Sequence, residues 1–408
     1  MRISANEALQ RINVSPRRAP SVSGSVQTPI ELVREFGEDE HPTLYIFRKG
    51  EEGIIAPADD ELAPILGECE KTDFTVELPP SLVDFFCEYD REIINFQNCG
   101  DNMIFGADVE TNDDDARVNI RPLIVTTWAQ GAPFNDKLLF DGKKCLVGCN
   151  AISIGQVLYY WGVNGVDGKK YHRGCTSTPS YTTTTNKYKV DSLPPITCFD
   201  YKNLTKGTPK TVESINAVST LLEYCGKAIS SNYGPSSTGA SPTNAKNVLK
   251  SHFRMGNPVM IFASSGEVNF AKQVYNELAH KRPVIINGYH ANGGHSFICD
   301  GYNATTDMFH FNFGWGGNYN GYFKMTAINP SSKTYNSNKN ATIGIQPEYI
   351  LGDVNNDNIV DISDITRLMN ALLKSNPYKD QLDIDSDTKI TLADLTAIVN
   401  GILGKRDI

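Results

Sequence analysis

Apolar positions along the chain alternate between two periods, and the switches between them mark the elements. Leu44, Tyr45, Ile46 and Phe47, then Ile54, Ile55 and Ala56, are short apolar runs on either side of an Arg48–Gly53 turn, and they predict a pair of strands. Leu82, Phe85, Phe86, Tyr89 and Ile93 fall on one helix face, as do Ile154, Val157, Leu158 and Trp161. Gly293–Tyr302 reads as two glycines followed by a strand that begins at His295. Asp307–Phe313 reads as a second strand with alternating aromatics, so the two predict a hairpin. The Thr/Ser-rich stretch Cys175–Asn186 has no period and predicts a surface loop, and Tyr233–Ala240 is a loop of small residues. Near the end, Ile365–Leu373 and Leu395–Leu403 are helical runs that each follow an Asp-rich stretch.

With 408 residues the chain has room for two or three domains, and its 40% hydrophobic content is ordinary for a folded protein. The net charge of −9 speaks against nucleic acid as a partner. No apolar run is long enough for a transmembrane helix. Met1 is followed by Arg2, Ile3 and Ser4 without an apolar leader core, so either the protein stays in the cytoplasm or a signal peptide has been trimmed. The nine cysteines include no CxxC pair, which speaks against a zinc site and leaves the disulfide state open. Cys87 and Cys299 sit in apolar patterns and read as buried thiols. Cys145 has no neighbour that would activate it.

Cys149 differs from these. It follows Gly148 and opens the helical run, so the free N–H groups and positive dipole end of that helix would favour a thiolate. A thiolate so placed needs a base, and His295, between Gly294 and the downstream strand, is the candidate. Asn312 shares a face of the second strand with His310 and is expected to orient the His295 ring. Trp315, in the turn Gly314–Gly317, is expected as a lid over the pair.

The Asp-rich stretches are two copies of one loop. Asp353, Asn355, Asp357, Asp361 and Asp364 stand at positions 1, 3, 5, 9 and 12 of the first, and Asp383, Asp385, Asp387, Thr391 and Asp394 of the second, with Ile359 and Lys389 at position 7 offering backbone carbonyls. This spacing wraps oxygen ligands around calcium, one ion per loop. Both loops end in Asp and lack the EF-hand glycine, and together they resemble a dockerin domain, an F-hand pair.

Gly148–Ala151 with Gln156, Tyr233–Ser237, Gly293–Phe297, and Asn312–Gly317 followed by Gly321–Phe323 occur in the order found in the streptopain family of secreted bacterial cysteine peptidases, distant relatives of papain, which the central segment resembles. Phe313 stands where that family has a tryptophan. The resemblance implies an α+β, papain-like peptidase of two subdomains, one helical and one an antiparallel sheet, at residues 113–348. An α+β inhibitory prodomain at 1–112 precedes it and an all-α dockerin-like domain at 349–408 follows. It implies a zymogen that hydrolyses protein substrates through a Cys149 thioester with His295 as acid and base; the polar, acidic stretch Thr111–Arg117 reads as a protease-accessible linker. Trp128–Asn135 matches the family's oxyanion segment, which makes Gln130 a donor to the oxyanion. Ser237, Gly239, Tyr289 and Trp315 are expected along the substrate cleft. The tail is expected to bind two calcium ions and a cohesin-type partner or the cell surface, with no cofactor needed for catalysis. Two other readings stay open: a Cys/His amidase or acyltransferase on the same scaffold, and a non-catalytic calcium-dependent adhesion protein.

Overall fold

The computed structural model describes residues 1–15, 28–38, 41–99, 117–165, 170–265, 267–290, 293–327, 339–348, 354, 360–373 and 389–403. The N-terminal segment opens with α1 (Ala5–Val14), capped by Ser4, whose side chain accepts from Glu7 N–H. An antiparallel ladder follows: β1 (Glu31–Glu38), β2 (His41–Lys49), β3 (Glu52–Pro57) and β4 (Gly67–Cys69). The expected hairpin is therefore β2–β3, and the expected stripe from Leu82 to Ile93 lies on α2 (Pro80–Cys99).

The helical half of the remainder contains the small hairpin β5 (Leu139–Phe140) and β6 (Lys143–Lys144), then α3 (Cys149–Tyr159), which continues as a π-helical turn at Tyr160–Asn164. After it come β7 (Tyr181–Thr182), β8 (Lys189–Val190), α4 (Val212–Ala228) and α5 (Pro242–Ser251). The stretch Cys175–Asn186 is largely the exposed loop expected, but it is pinned into the fold at several points. Cys175, Thr178 and Thr183 are buried, Cys175 pairs with Ile196, and Tyr181–Thr182 form a strand. Its hydroxyls find partners in the fold, as where Thr178 Oγ1 accepts from Leu193 N–H at 2.9 Å, and this pattern carries no periodicity.

The sheet half contains β9 (Val259–Phe262), α6 (Glu267–Ala279), β10 (Val284–His290), β11 (Gly293–Asn303), β12 (Met308–Asn312), β13 (Gly321–Phe323) and β14 (Asn340–Ile343). Among the described residues the strands of the N-terminal segment and of the sheet half join one ten-stranded sheet in the order β1-β2-β3-β4-β13-β12-β11-β10-β14-β9. The seam between the N-terminal segment and the rest is the β4–β13 pair. It needs glycine at 321, where a Cβ would lie 2.1 Å from the Glu68 carbonyl oxygen.

Alternation along the strands sorts the core into two faces. Val284, Ile286, Phe297 and Cys299 pack with α2 and α6 in one cluster, while Ile285 and Ile298 pack with α3, α4 and α5 in another. Opposite α2, α1 covers Tyr45, Phe47, Ile54 and Ala56. In the tail, α7 (Ile362–Leu373) and α8 (Leu392–Ile402) share a small core of Val354, Leu368 and Ile398. No described helix is long and apolar enough to cross a membrane.

Buried charge also ties α2 to the sheet half. Lys339 lies 3.7 Å from Glu88 and 3.6 Å from Glu92, and it donates to the Met325 carbonyl at 2.6 Å. Ala327 N–H donates to Glu92. Removing one partner of such a group leaves an uncompensated buried charge. Lys339→Met in a Cys149→Ala background should therefore cost about 3–5 kcal/mol of unfolding free energy, read by denaturant titration; a midpoint unchanged from the parent would show that these charges do not hold α2.

Candidate active site

Gly148 adopts φ +91°, in the region that favours glycine, and a Cβ there would meet Thr238 Cγ2 at 2.9 Å. That close approach brings the loop of small residues against the start of α3. Thr238 Oγ1 donates to the Leu146 carbonyl at 2.8 Å, and Asn150 Nδ2 donates to the Ala240 carbonyl at 3.2 Å. Cys149 begins the helix, half-buried. The backbone N–H groups of Ser296, Asn150 and Cys149 itself face its sulfur and pull its pKa down. Two of these are the free donors of a helix first turn, and the third is the residue next to His295.

The thiol is nevertheless not depressed as the helix position predicts. Burial outweighs the three N–H donors and pushes Cys149 above the usual thiol value. His295 shows why no cation compensates. It is the third residue of β11 rather than the first, and it is 8% exposed. Burial lowers its pKa from 6.5 to about 4, against a smaller upward effect of the bond to Phe313. That bond joins His295 Nε2 to the Phe313 carbonyl at 2.9 Å. A carbonyl only accepts, so Nε2 carries the proton and Nδ1 is the basic nitrogen. Among the described residues no hydrogen bond joins the ring to the Cys149 sulfur.

Strand alternation explains the separation. His295 has the parity of Phe297 and Cys299, the face covered by α2, whereas α3 packs on the opposite face. On its own face the ring stacks on Trp315 at 4.6 Å, and Trp315 stacks on Phe313 at 5.0 Å. Phe85 of α2 closes this aromatic cluster, edge-on to Phe297 at 6.2 Å and to Phe313 at 5.7 Å. Trp315 thus covers the histidine alone, not the Cys149–His295 pair.

Asn312 does not orient the ring. Its Nδ2 donates to the Thr126 carbonyl at 2.9 Å, and its Oδ1 accepts from Gly314 N–H at 3.1 Å and from Gln156 Nε2 at 3.4 Å. The partner of His295 comes one residue later and from the main chain, which side-chain patterning does not reveal. Gln130 is half-buried, and its carbonyl accepts from Val147 N–H at 3.0 Å, so its backbone runs beside the approach to Cys149. Ser237 and Gly239 are exposed on the loop that packs on Gly148. Tyr289 lies in β10 opposite Gly294, and its side chain is outside the described residues. Thr126 and Phe85 were not singled out as functional from the sequence. Thr126 carries no local pattern, while Phe85 was visible only as one member of a helical stripe.

In the tail, Asp353, Asn355, Asp357, Ile359, Asp383, Asp385 and Asp387 lie outside the described residues. The described part fits a hard cation. Asp364 and Asp394, at position 12, are fully buried carboxylates at the starts of α7 and α8. Asp364 accepts from Val354 N–H at 2.7 Å and Asp361 N–H at 2.9 Å, and Asp394 accepts from Thr391 N–H at 2.6 Å, so each carboxylate draws its loop inward. Among the described residues no group of three acidic, His or Cys side chains forms a metal cluster.

A helix-borne cysteine facing the histidine strand of an antiparallel sheet defines a papain-like cysteine peptidase. Residues 128–323 match the Peptidase C10 family, and residues 351–403 match the Dockerin type I domain. Residues 128–323 are thus a Peptidase C10 domain, the family of streptopain, and residues 351–403 a dockerin type I domain. It is 26% identical over 363 residues to the thiol protease/hemagglutinin PrtT of Porphyromonas gingivalis, an alignment covering 82% of this chain and 41% of that protein's length. It is 23% identical over 340 residues to streptopain of Streptococcus pyogenes, covering 78% of this chain and 84% of streptopain. Among solved structures, a fragment of Prevotella intermedia prointerpain A with its cysteine mutated superposes with a TM-score of 0.62 at 25% identity, covering 78% of this chain and all of that one.

With the thiol raised and the imidazole neutral, Cys149 in the intact chain should react as an ordinary buried thiol. Its iodoacetamide alkylation rate, measured against pH in a chain protected from processing, should be low at pH 7 and climb above the usual thiol pKa, about 8.5. A rate plateau already reached below pH 7 would mean that a thiolate–imidazolium pair is present.

Proposed function

We propose that this chain is the latent form of a secreted cysteine endopeptidase, with residues 1–112 as its inhibitory segment, 113–348 as the peptidase and 349–408 as the calcium-binding tail. The observation that carries this reading is the placement of His295 in an aromatic cluster closed by Phe85, on the sheet face that α2 covers. The solved relative that covers most of this chain is likewise a pro-form. Removing α2 opens that face and frees the ring to turn toward Cys149. The Cys149 thiolate then attacks a peptide carbonyl, and the oxyanion is held by Cys149 N–H and the Gln130 side chain. His295 protonates the leaving amine, and water hydrolyses the thioester with His295 as base. Ser237, Gly239, Tyr289 and Trp315 line the substrate cleft, and Asn312 supports the histidine strand from behind rather than touching the ring.

Arg117 supports a cleavage point in the preceding acidic stretch. Its guanidinium lies 5.1 Å from the Tyr275 ring centre and 3.4 Å from Asp307, and Ile120 pairs with Tyr302. Those contacts would keep the new N-terminus clamped after cleavage. Two calcium ions in the tail, held by Asp353, Asn355, Asp357, Ile359, Asp361 and Asp364 and by Asp383, Asp385, Asp387, Lys389, Thr391 and Asp394, would order it for a cohesin-type partner or a cell-surface tether.

Mass spectrometry of the purified chain on standing tests the zymogen reading. Wild type should lose its N-terminal segment at a bond preceding Arg117, while Cys149→Ala stays intact; equal processing of both, with no other protease present, would rule out self-cleavage. Casein beside peptidoglycan as substrates separates a peptidase from an amidase. Calcium removal tests the tail. A chelator should unfold residues 351–403, seen as lost helical signal from the isolated segment, and leave hydrolysis of a small amide by the processed chain unchanged. No calcium uptake in calorimetry would exclude the two-ion tail.

A further inference from the structure

Between the helix-side core and the sheet-side core lie three buried polar side chains, Thr126, Gln156 and Asn312. Gln156 sits two turns along α3 from Cys149 and on the same stripe of the helix. Its neighbours Ile154, Val157 and Leu158 are core, and its own side chain is fully buried. Thr126 Oγ1 donates to Gln156 Oε1 at 2.9 Å, and Trp128 N–H donates to the same oxygen at 3.4 Å. Gln156 Nε2 donates to Asn312 Oδ1 at 3.4 Å, and Asn312 Nδ2 donates to the Thr126 carbonyl at 2.9 Å, which closes the ring. Gly314 N–H adds a second donor to Asn312 Oδ1 at 3.1 Å.

Each corner of the ring belongs to a different part of the site. Thr126 and Trp128 lead into Gln130. Gln156 belongs to the helix that begins at Cys149. Asn312 precedes Phe313, whose carbonyl holds His295, and the turn that carries Trp315. Ile285 and Ile298 of the strands share the core of the helix, but apolar contact is non-directional and leaves the sliding of one on the other weakly specified. A closed ring of directional bonds specifies it.

We infer that Gln156 is a positioning residue for the reaction: with Thr126 and Asn312 it fixes the Cys149 helix against the strand of His295 and the segment of Gln130. The inference rests on the Cys149, His295 and Gln130 roles proposed above. Gln156→Met keeps length and volume and removes the ring's amide. Gln156→Glu keeps the acceptor and loses the donor to Asn312 unless the carboxyl is protonated, which burial favours as pH falls.

The test uses the processed full chain, with active sites counted by a covalent thiol inhibitor and with kcat, KM and the pH profile measured on a small amide substrate. Gln156→Met should lower kcat per titrated site by about tenfold to a hundredfold, as a small misplacement of reacting groups does, with KM unchanged. Gln156→Glu should recover activity relative to wild type as pH is lowered. Thr126→Val removes one hydroxyl from the ring and serves if the Gln156 variants do not fold; it should show a smaller loss, also in kcat. Wild-type kcat per site in Gln156→Met, or in Thr126→Val where the Gln156 variants do not fold, overturns the inference, as does a loss confined to the count of active sites and the melting temperature. Activity that survives in Cys149→Ala would instead sink the underlying assignment.

Discussion

The bond from His295 Nε2 to the Phe313 carbonyl, inside an aromatic cluster, is the interaction on which the state of this protein turns. Burial in that cluster costs the ring its charge, and the carbonyl bond offsets the loss only in part. An imidazolium needs water or a counter-ion, and here it has Trp315, Phe297 and Phe313. Burial accordingly takes the ring's pKa down to about 4, and Cys149, with no cation facing it, is pushed up. Cys149 and His295, the proposed nucleophile and base, are thus both neutral at pH 7. The first-turn N–H groups of α3 and the Ser296 N–H pull the thiol pKa down, but less than burial pushes it up.

The continuous sheet explains how an N-terminal segment can hold a histidine it does not contain. β4 adds to the edge strand β13, and β13 adjoins β12 and then β11, where His295 lies. The ladder sets α2 over the same face as the histidine, and Phe85 reaches the cluster from there. Main-chain pairing at one seam, the Glu88–Glu92–Lys339 charges and the aromatic packing therefore act together on one ring.

Much of this was legible in the residues. Cys149 and His295 stand out because a glycine precedes a long apolar helix in one case and an aromatic hairpin in the other, and both patterns fold as read. The hairpin and the α2 stripe follow from periods of 2 and 3.6, whereas the register shift between Cys299 and Gly301 does not. What sequence periodicity could not supply was orientation. It places His295 in a strand but not on the α2 face, because both faces of that strand are buried. It gives Asn312 an inward direction but not a partner, and the nearest chemical expectation, the histidine ring, lost to Thr126 and Gln156. The thiol was misjudged for a related reason. The helix start favours a thiolate, but burial is a property of the packed whole. The buried hydroxyls of Cys175–Asn186 were missed because tertiary hydrogen bonds, not local pattern, bring them inside.

The most direct test is a carbon-13 NMR titration of the His295 ring in the intact Cys149→Ala chain, assigned by comparison with His295→Gln. A ring held in the aromatic cluster on Phe313 should titrate near pH 4, as a neutral imidazole with its proton on Nε2. A midpoint near the ordinary 6.5 in the intact chain would contradict it, because the ring would then be solvated and the N-terminal segment would not be what keeps it from Cys149.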